Sequence, residues 1–101
     1  MKHFVVTYTQ SDLDGWAAHR EAHRAYLARL VERGILCVSG PFRGTSTKSA
    51  MLILIADDER EVREILSSDP FYVHQLVEPM SITEWDPIFG SVGIAGQPKT
   101  G

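Results

Sequence analysis

From about residue 12 to residue 33 the chain carries a single long helical period, with strand-like runs before and after it, and that order restricts the fold more than any other feature. At about 100° per residue, Trp16, His23, Leu27 and Leu30 fall close together on one face, with His19 and Tyr26 on its flank. Ser11 with Asp14 three residues on is a weak capping box, and Gly34 supplies the C-terminal stop. A helix with one apolar face must pack on a second layer, and the neighbouring runs supply it. Residues 3–9, His-Phe-Val-Val-Thr-Tyr-Thr, are β-branched and aromatic and read as a first strand. Ile35 to Ser39 form a second strand stopped at Gly40-Pro41, and Phe42 to Lys48 a loop.

Ala50 to Ala56 is apolar on both sides, as expected of a strand covered by helices on one face and by a second subunit on the other. Asp57 and Asp58 place negative charge at the start of a second helix, with Val62, Ile65 and Leu66 as its buried face. Pro70 turns Asp69 away from helical geometry, so this helix ends near Ser68. A short helical turn from Pro70 to Gln75 and a fourth strand from about Leu76 to Trp85, with Pro79 at an edge or bulge, complete the order β-α-β-β-α-β. That is an α+β, ferredoxin-like arrangement: a four-stranded antiparallel sheet with two helices on one face. Residues 1–86 make the domain, and residues 87–101 a C-terminal arm or disordered end. The segment Trp85 to Phe89 is apolar enough to be needed for folding or to cross onto a partner subunit.

A chain of 101 residues suffices for one two-layer core, so a sizeable pocket must lie between layers or between subunits. The 10 Lys+Arg are set against 13 Asp+Glu without a like-charge block, which disfavours nucleic acid as a partner. A single cysteine, Cys37 in an apolar run, reads as a buried, inert thiol in a reducing cytoplasm. No run approaches bilayer length or forms a signal-peptide core, so no membrane association is expected.

An ionisable imidazole at the centre of a core-facing stripe needs a partner or a task, which singles out His23. Histidine titrates near neutrality and serves as a general acid or base when a second group fixes its tautomer; a core histidine satisfied by a carbonyl or hydroxyl is the plain alternative. Asp69, in Ser-Asp-Pro-Phe, is a good helix N-cap before Pro70. Yet it also follows the C-terminal end of a helix, where the dipole prefers a cation, and His23 or Arg20 could supply one. His19 and His23 have the spacing of a metal-binding helix but lack convincing further ligands, so no metal is expected. Phosphate loops, dinucleotide fingerprints and nucleophile elbows are missing from the sequence.

The spaced pattern Arg20-x-x-His23-x-x-Tyr26-Leu27-x-x-Leu30-x-x-x-Gly34, then Gly40-Pro41, then Asp69-Pro70-Phe71, resembles the YciI-like family over residues 3–85. That resemblance implies a dimeric α/β barrel and a His/Asp pair, here His23 and Asp69, as the catalytic residues. Some members are lyases or dehydrohalogenases of aromatic-degradation intermediates. It therefore implies a cofactor-independent lyase or isomerase acting on a small cyclic substrate, with Arg20, Tyr26, Ser39, Gly40, Pro41, Phe71 and His74 as substrate-binding candidates, and a homodimer. A non-catalytic small-molecule binding module and a cofactor-free monooxygenase are the alternatives. The chain departs from the family pattern at Tyr72-Val73-His74-Gln75, where small residues and a glycine are more usual. Its 42–48 loop is short.

Overall fold

The computed structural model describes residues 1–90, so the expectation of an arm or disordered end concerns residues that lie largely outside the described ones. Strand β1 spans Lys2–Gln10, helix α1 Leu13–Glu32, β2 Leu36–Pro41, β3 Lys48–Ala56, α2 Glu59–Leu66, α3 Pro70–Val73 and β4 Met80–Trp85. The strands form one sheet in the order β2-β3-β1-β4, and each neighbouring pair is antiparallel. This is the ferredoxin-like α+β arrangement expected from the sequence. Among the described residues, no helix is long and apolar enough to cross a membrane.

Several boundaries differ from the sequence reading. β1 runs on through Gln10 and β3 begins at Lys48, because these two residues pair directly across the ladder. β2 continues through Gly40 and Pro41, since Pro41 lies on an edge strand, where a missing N–H need not interrupt the ladder. β4 starts only at Met80; Leu76 and Val77 are not strand residues but are buried in the core. Cys37 is half-buried rather than enclosed, at the register irregularity between Leu36 and Val38.

Alternation along β1 and β3 decides which side chains meet the helices. Phe4, Val6, Tyr8 and Gln10 are buried while the residues between them are half-buried, and β3 adds Leu52, Leu54 and Ala56 to the same core. Opposite them stand Leu30 of α1, Val62 and Leu66 of α2 and Phe71 of α3. Each fully buried Leu, Val or Phe stabilises by roughly 1.5–3 kcal/mol. A one-residue slip of β1 would turn Val5 and Thr7 inward in place of Val6 and Tyr8, so the register is firmly specified. Trp85, Ile88 and Phe89 are exposed and add little to the core of a single chain, contrary to the expectation that folding needs them.

The helix ends place the functional elements. Asp12, not Ser11, caps α1 by accepting the Gly15 N–H at 2.9 Å. At the other end, Gly34 at φ 76° lets its N–H reach the Val31 carbonyl and lets Ile35 reach that of Leu30, the paired bonds of a Schellman motif. The same motif recurs after α3, with Gln75 donating to Tyr72 and Leu76 to Phe71. There the left-handed position is held by Gln75 at φ 57°. The turn sends Leu76 inward against α1 at Gly15, where a Cβ would come within 2.7 Å of the leucine side chain.

Two outcomes are expected. Gln75→Gly relieves a left-handed conformation that disfavours side chains, and should stabilise the fold by up to about 1 kcal/mol in urea titrations. Tyr8 is buried, and burial, reinforced by the Asp69 carboxylate, pushes its phenol well above the ordinary value. Because the folded state holds this proton more tightly than the unfolded chain, the associated stability is intact below about pH 10 and declines as pH rises above it. Tyr8→Phe should therefore flatten the alkaline arm of a stability-versus-pH curve; an unchanged slope would contradict the assignment.

Candidate active site

His23 reaches the core because it lies two turns before Leu30 on α1, on the face turned to the sheet; both are buried. Asp69 arrives from the opposite side. It caps α3 by accepting the Phe71 N–H on Oδ1 at 2.9 Å, and the same carboxylate meets the His23 ring, with Nδ1 at 2.8 Å from Oδ1 and 2.9 Å from Oδ2. His23 is 7 % exposed and Asp69 3 %, so the pair is shielded from bulk water. A carboxylate accepts only, so the proton between them sits on Nδ1, and in the neutral ring Nε2 is left as the acceptor. The Phe71 ring stacks on the imidazole, with centroids 3.8 Å apart and planes 11° from parallel. Orientation of the ring is thus fixed from the edge by Asp69 and from the face by Phe71.

A cavity of about 530 Å³ opens beside this pair between α1 and the sheet. Of the residues picked out from the sequence, His23, Arg20, Ser39, Gly40, Pro41 and Phe71 line it. Asp69 stands behind His23, outside the lining. Tyr26 and His74 lie elsewhere. The Tyr26 hydroxyl donates to the Ile65 carbonyl of α2, and burial pushes its phenol above the ordinary value. His74 stacks on His19 at 3.7 Å, so the second imidazole expected at the pocket is engaged on the outer side of α1 and α3. Among the described residues there is no cluster of three or more His, Cys, Asp or Glu able to hold a metal ion.

Of the lining residues not singled out from the sequence as substrate-binding, Tyr8, Gln10 and Lys48 bring polar groups from the sheet. Tyr8 contributes to the wall from β1. Gln10 is only 4 % exposed, and its Nε2 has no hydrogen-bond partner. Lys48 carries its ammonium 3.9 Å from the centre of the Trp16 ring, while the Arg20 guanidinium lies 5.2 Å from the same centre. The signal for Gln10 was the even-numbered row Phe4, Val6, Tyr8, whose next inward position it occupies. A strand ended at residue 9 hides it, as a loop that runs to Lys48 hides the lysine.

Comparison with known proteins agrees with this geometry at the level of the fold. A 5-chloro-2-hydroxyhydroquinone dehydrochlorinase from Burkholderia phenoliruptrix, determined in complex with 2,5-dihydroxybenzoquinone, superposes with a TM-score of 0.72 at 24 % identity, over 83 % of this chain and 93 % of that one. An uncharacterized NIPSNAP domain protein from Burkholderia xenovorans gives 0.57 at 15 % identity, covering 87 % and 95 %. Rv0793 from Mycobacterium tuberculosis gives 0.55 at 13 %, covering 90 % and 99 %. No curated protein matches the sequence. The model of the YCII-related domain matches residues 1–86, a span that holds every strand and helix of the described residues, and the chain therefore belongs to the YCII-related domain family.

Proposed function

We propose that this protein is a cofactor-independent lyase or isomerase of the dehydrohalogenase type, acting on a small cyclic or aromatic-degradation intermediate through the His23/Asp69 dyad. The observation that carries the reading is a buried imidazole held at Nδ1 by a carboxylate, with its other nitrogen left for an adjoining cavity of ligand size. The structural likeness to a dehydrochlorinase, and the aromatic-sized ligand bound to that protein, support the choice of substrate class.

In this mechanism Nε2 takes a proton from a carbon or oxygen of the substrate, and the electron pair left behind forms a new double bond. In an elimination a halide departs with its bonding pair; in an isomerisation the proton returns at another atom. Asp69 keeps the lone pair aimed at the substrate and offsets the charge that develops on the ring. Tyr8, held in its protonated form by burial and by the nearby carboxylate, supplies a hydrogen-bond donor to an oxygen that becomes negative.

We also propose that the active form is a homodimer joined through the sheet face remote from the helices. Val5, Met51 and Ile55 are half-buried on that face in the single chain, an apolar strip that a second copy would cover. Sedimentation should give a dimer at micromolar concentration; a compact monomer there would overturn the proposal.

His23→Gln should lower turnover about 10²- to 10⁴-fold, the range general acid–base catalysis supplies, while leaving ligand affinity within a few-fold. Asp69→Asn should also slow turnover, with folding preserved because Asn caps a helix nearly as well as Asp. Both are checked by chloride release from 5-chloro-2-hydroxyhydroquinone and its halogenated ring analogues, with ligand binding measured alongside. Full activity in Asp69→Asn would reduce that residue to a helix cap. Affinity lost without any wild-type turnover would make the protein a binding module.

A further inference from the structure

The cavity wall is charged in a way that the dyad does not require. Arg20, Arg24 and Lys48 line it, and no carboxylate is among the lining residues. Among the described residues none of these three cations has a carboxylate partner: the ion pairs of the chain are Lys2 with Glu84, His23 with Asp69, Arg60 with Glu64 and Arg63 with Glu59. The whole chain carries a formal charge of −3, so this is a local reversal of sign at the cavity, with Arg20 and Arg24 exposed at its edge and Lys48 half-buried, the arrangement that concentrates an anion. Lys48 and Arg20 both approach the Trp16 ring, an apolar surface that holds their side chains at one corner of the pocket.

Gln10 stands directly across the ladder from Lys48. Its amide is nine-tenths or more enclosed, lines the same cavity, and leaves Nε2 without a partner. An unsatisfied buried amide lowers stability unless something else uses it. Rotation of the terminal amide exchanges its donor and acceptor ends, so the side chain can present either to a bound molecule. Trp16 and His23 lie two turns apart, roughly 10 Å along the helix axis. A planar ring placed between them has one end at the imidazole and the other at this corner.

We propose that Gln10, Lys48 and Arg20 around Trp16 form a subsite for an anionic oxygen, and that the substrate class is planar ring compounds ionised at an enol, phenol or carboxyl group. The proposal deepens the preceding reading of the cavity as the substrate site and rests on it. The anionic oxygen is held by the two cations, the Gln10 amide bonds a neighbouring oxygen, and the opposite edge of the ring faces Nε2 of His23.

The test is calorimetric binding with 2,5-dihydroxybenzoquinone, which ionises, against 2,5-dimethoxybenzoquinone, which cannot. Wild-type protein should prefer the ionised ring at least tenfold, and the preference should shrink with added salt. Lys48→Met, which keeps the stem against Trp16, should bring the two affinities within a few-fold of each other, and Lys48→Arg should restore the difference. Gln10→Leu should weaken binding of the dihydroxy compound about tenfold while raising the thermal midpoint of the unliganded protein, a combination that a packing role does not produce. Equal affinity for the two rings, binding of neither, or a Lys48→Met variant that keeps wild-type discrimination would overturn the anion subsite. Undiminished affinity in Gln10→Leu would remove Gln10 from it. Because binding is read without turnover, the same series in a His23→Gln background separates failure of this subsite from failure of the dyad as a catalyst.

Discussion

The Asp69 carboxylate fastens α1 to α3. One oxygen accepts the first free N–H of the short helix, and both meet the His23 ring, so the position of α3 is tied to a residue on the opposite helix. Much of the surrounding geometry depends on that tie. Phe71 can stack on the imidazole only while α3 starts where Asp69 starts it. The turn after α3 then places Leu76 beside Gly15, so close that a side chain there would force Leu76 or the capping Asp12 to shift. Truncation of the Asp69 side chain to alanine would leave a buried histidine without its partner, worth about 1–3 kcal/mol, and a helix end uncapped, worth about 0.5–2 kcal/mol. The residue therefore has a structural duty and an orienting one, and the two use the same atoms.

Polar groups in the core also mark where stability has been yielded. Gln10 leaves an amide nitrogen enclosed without a partner although the adjoining inward positions are Tyr8, Val6 and Phe4. A leucine at that place would fit the strand pattern and remove the unsatisfied group. Sites that break the local rule in this way are where binding surfaces tend to lie, and this one adjoins the imidazole that the dyad holds in place.

Most of the fold was legible because its signals were periodic. The helical spacing from Trp16 to Leu30, the stop at Gly34 and the alternation in β1 and β3 each have a direct structural counterpart. His23 and Asp69 were legible for another reason, an ionisable side chain on an apolar face and an acid beside a helix C-terminus, each of which called for a partner. What escaped detection lay at the ends of elements. Leu76 and Val77 are apolar enough to resemble strand, yet they fill the core beneath a turn, a tertiary role that local pattern cannot distinguish. Gln10 and Lys48 were missed because strand ends are set by pairing with another strand, and pairing is not visible in a single run of residues. His74 illustrates the opposite error: an imidazole near the expected site found a stacking partner in His19 instead.

Because the pleat of β1 sends successive side chains to opposite sides, residue parity decides which of two surfaces a substitution can reach. Tyr8 and Gln10 belong to the cavity, whereas Val5 and Thr7 belong to the outer face and meet Thr83 and Ser81 across the ladder. Neighbouring positions in one short strand thus meet separate surroundings. Substitutions at the even positions change what enters the cavity, and those at the odd positions change the outer face, without either having to disturb the other.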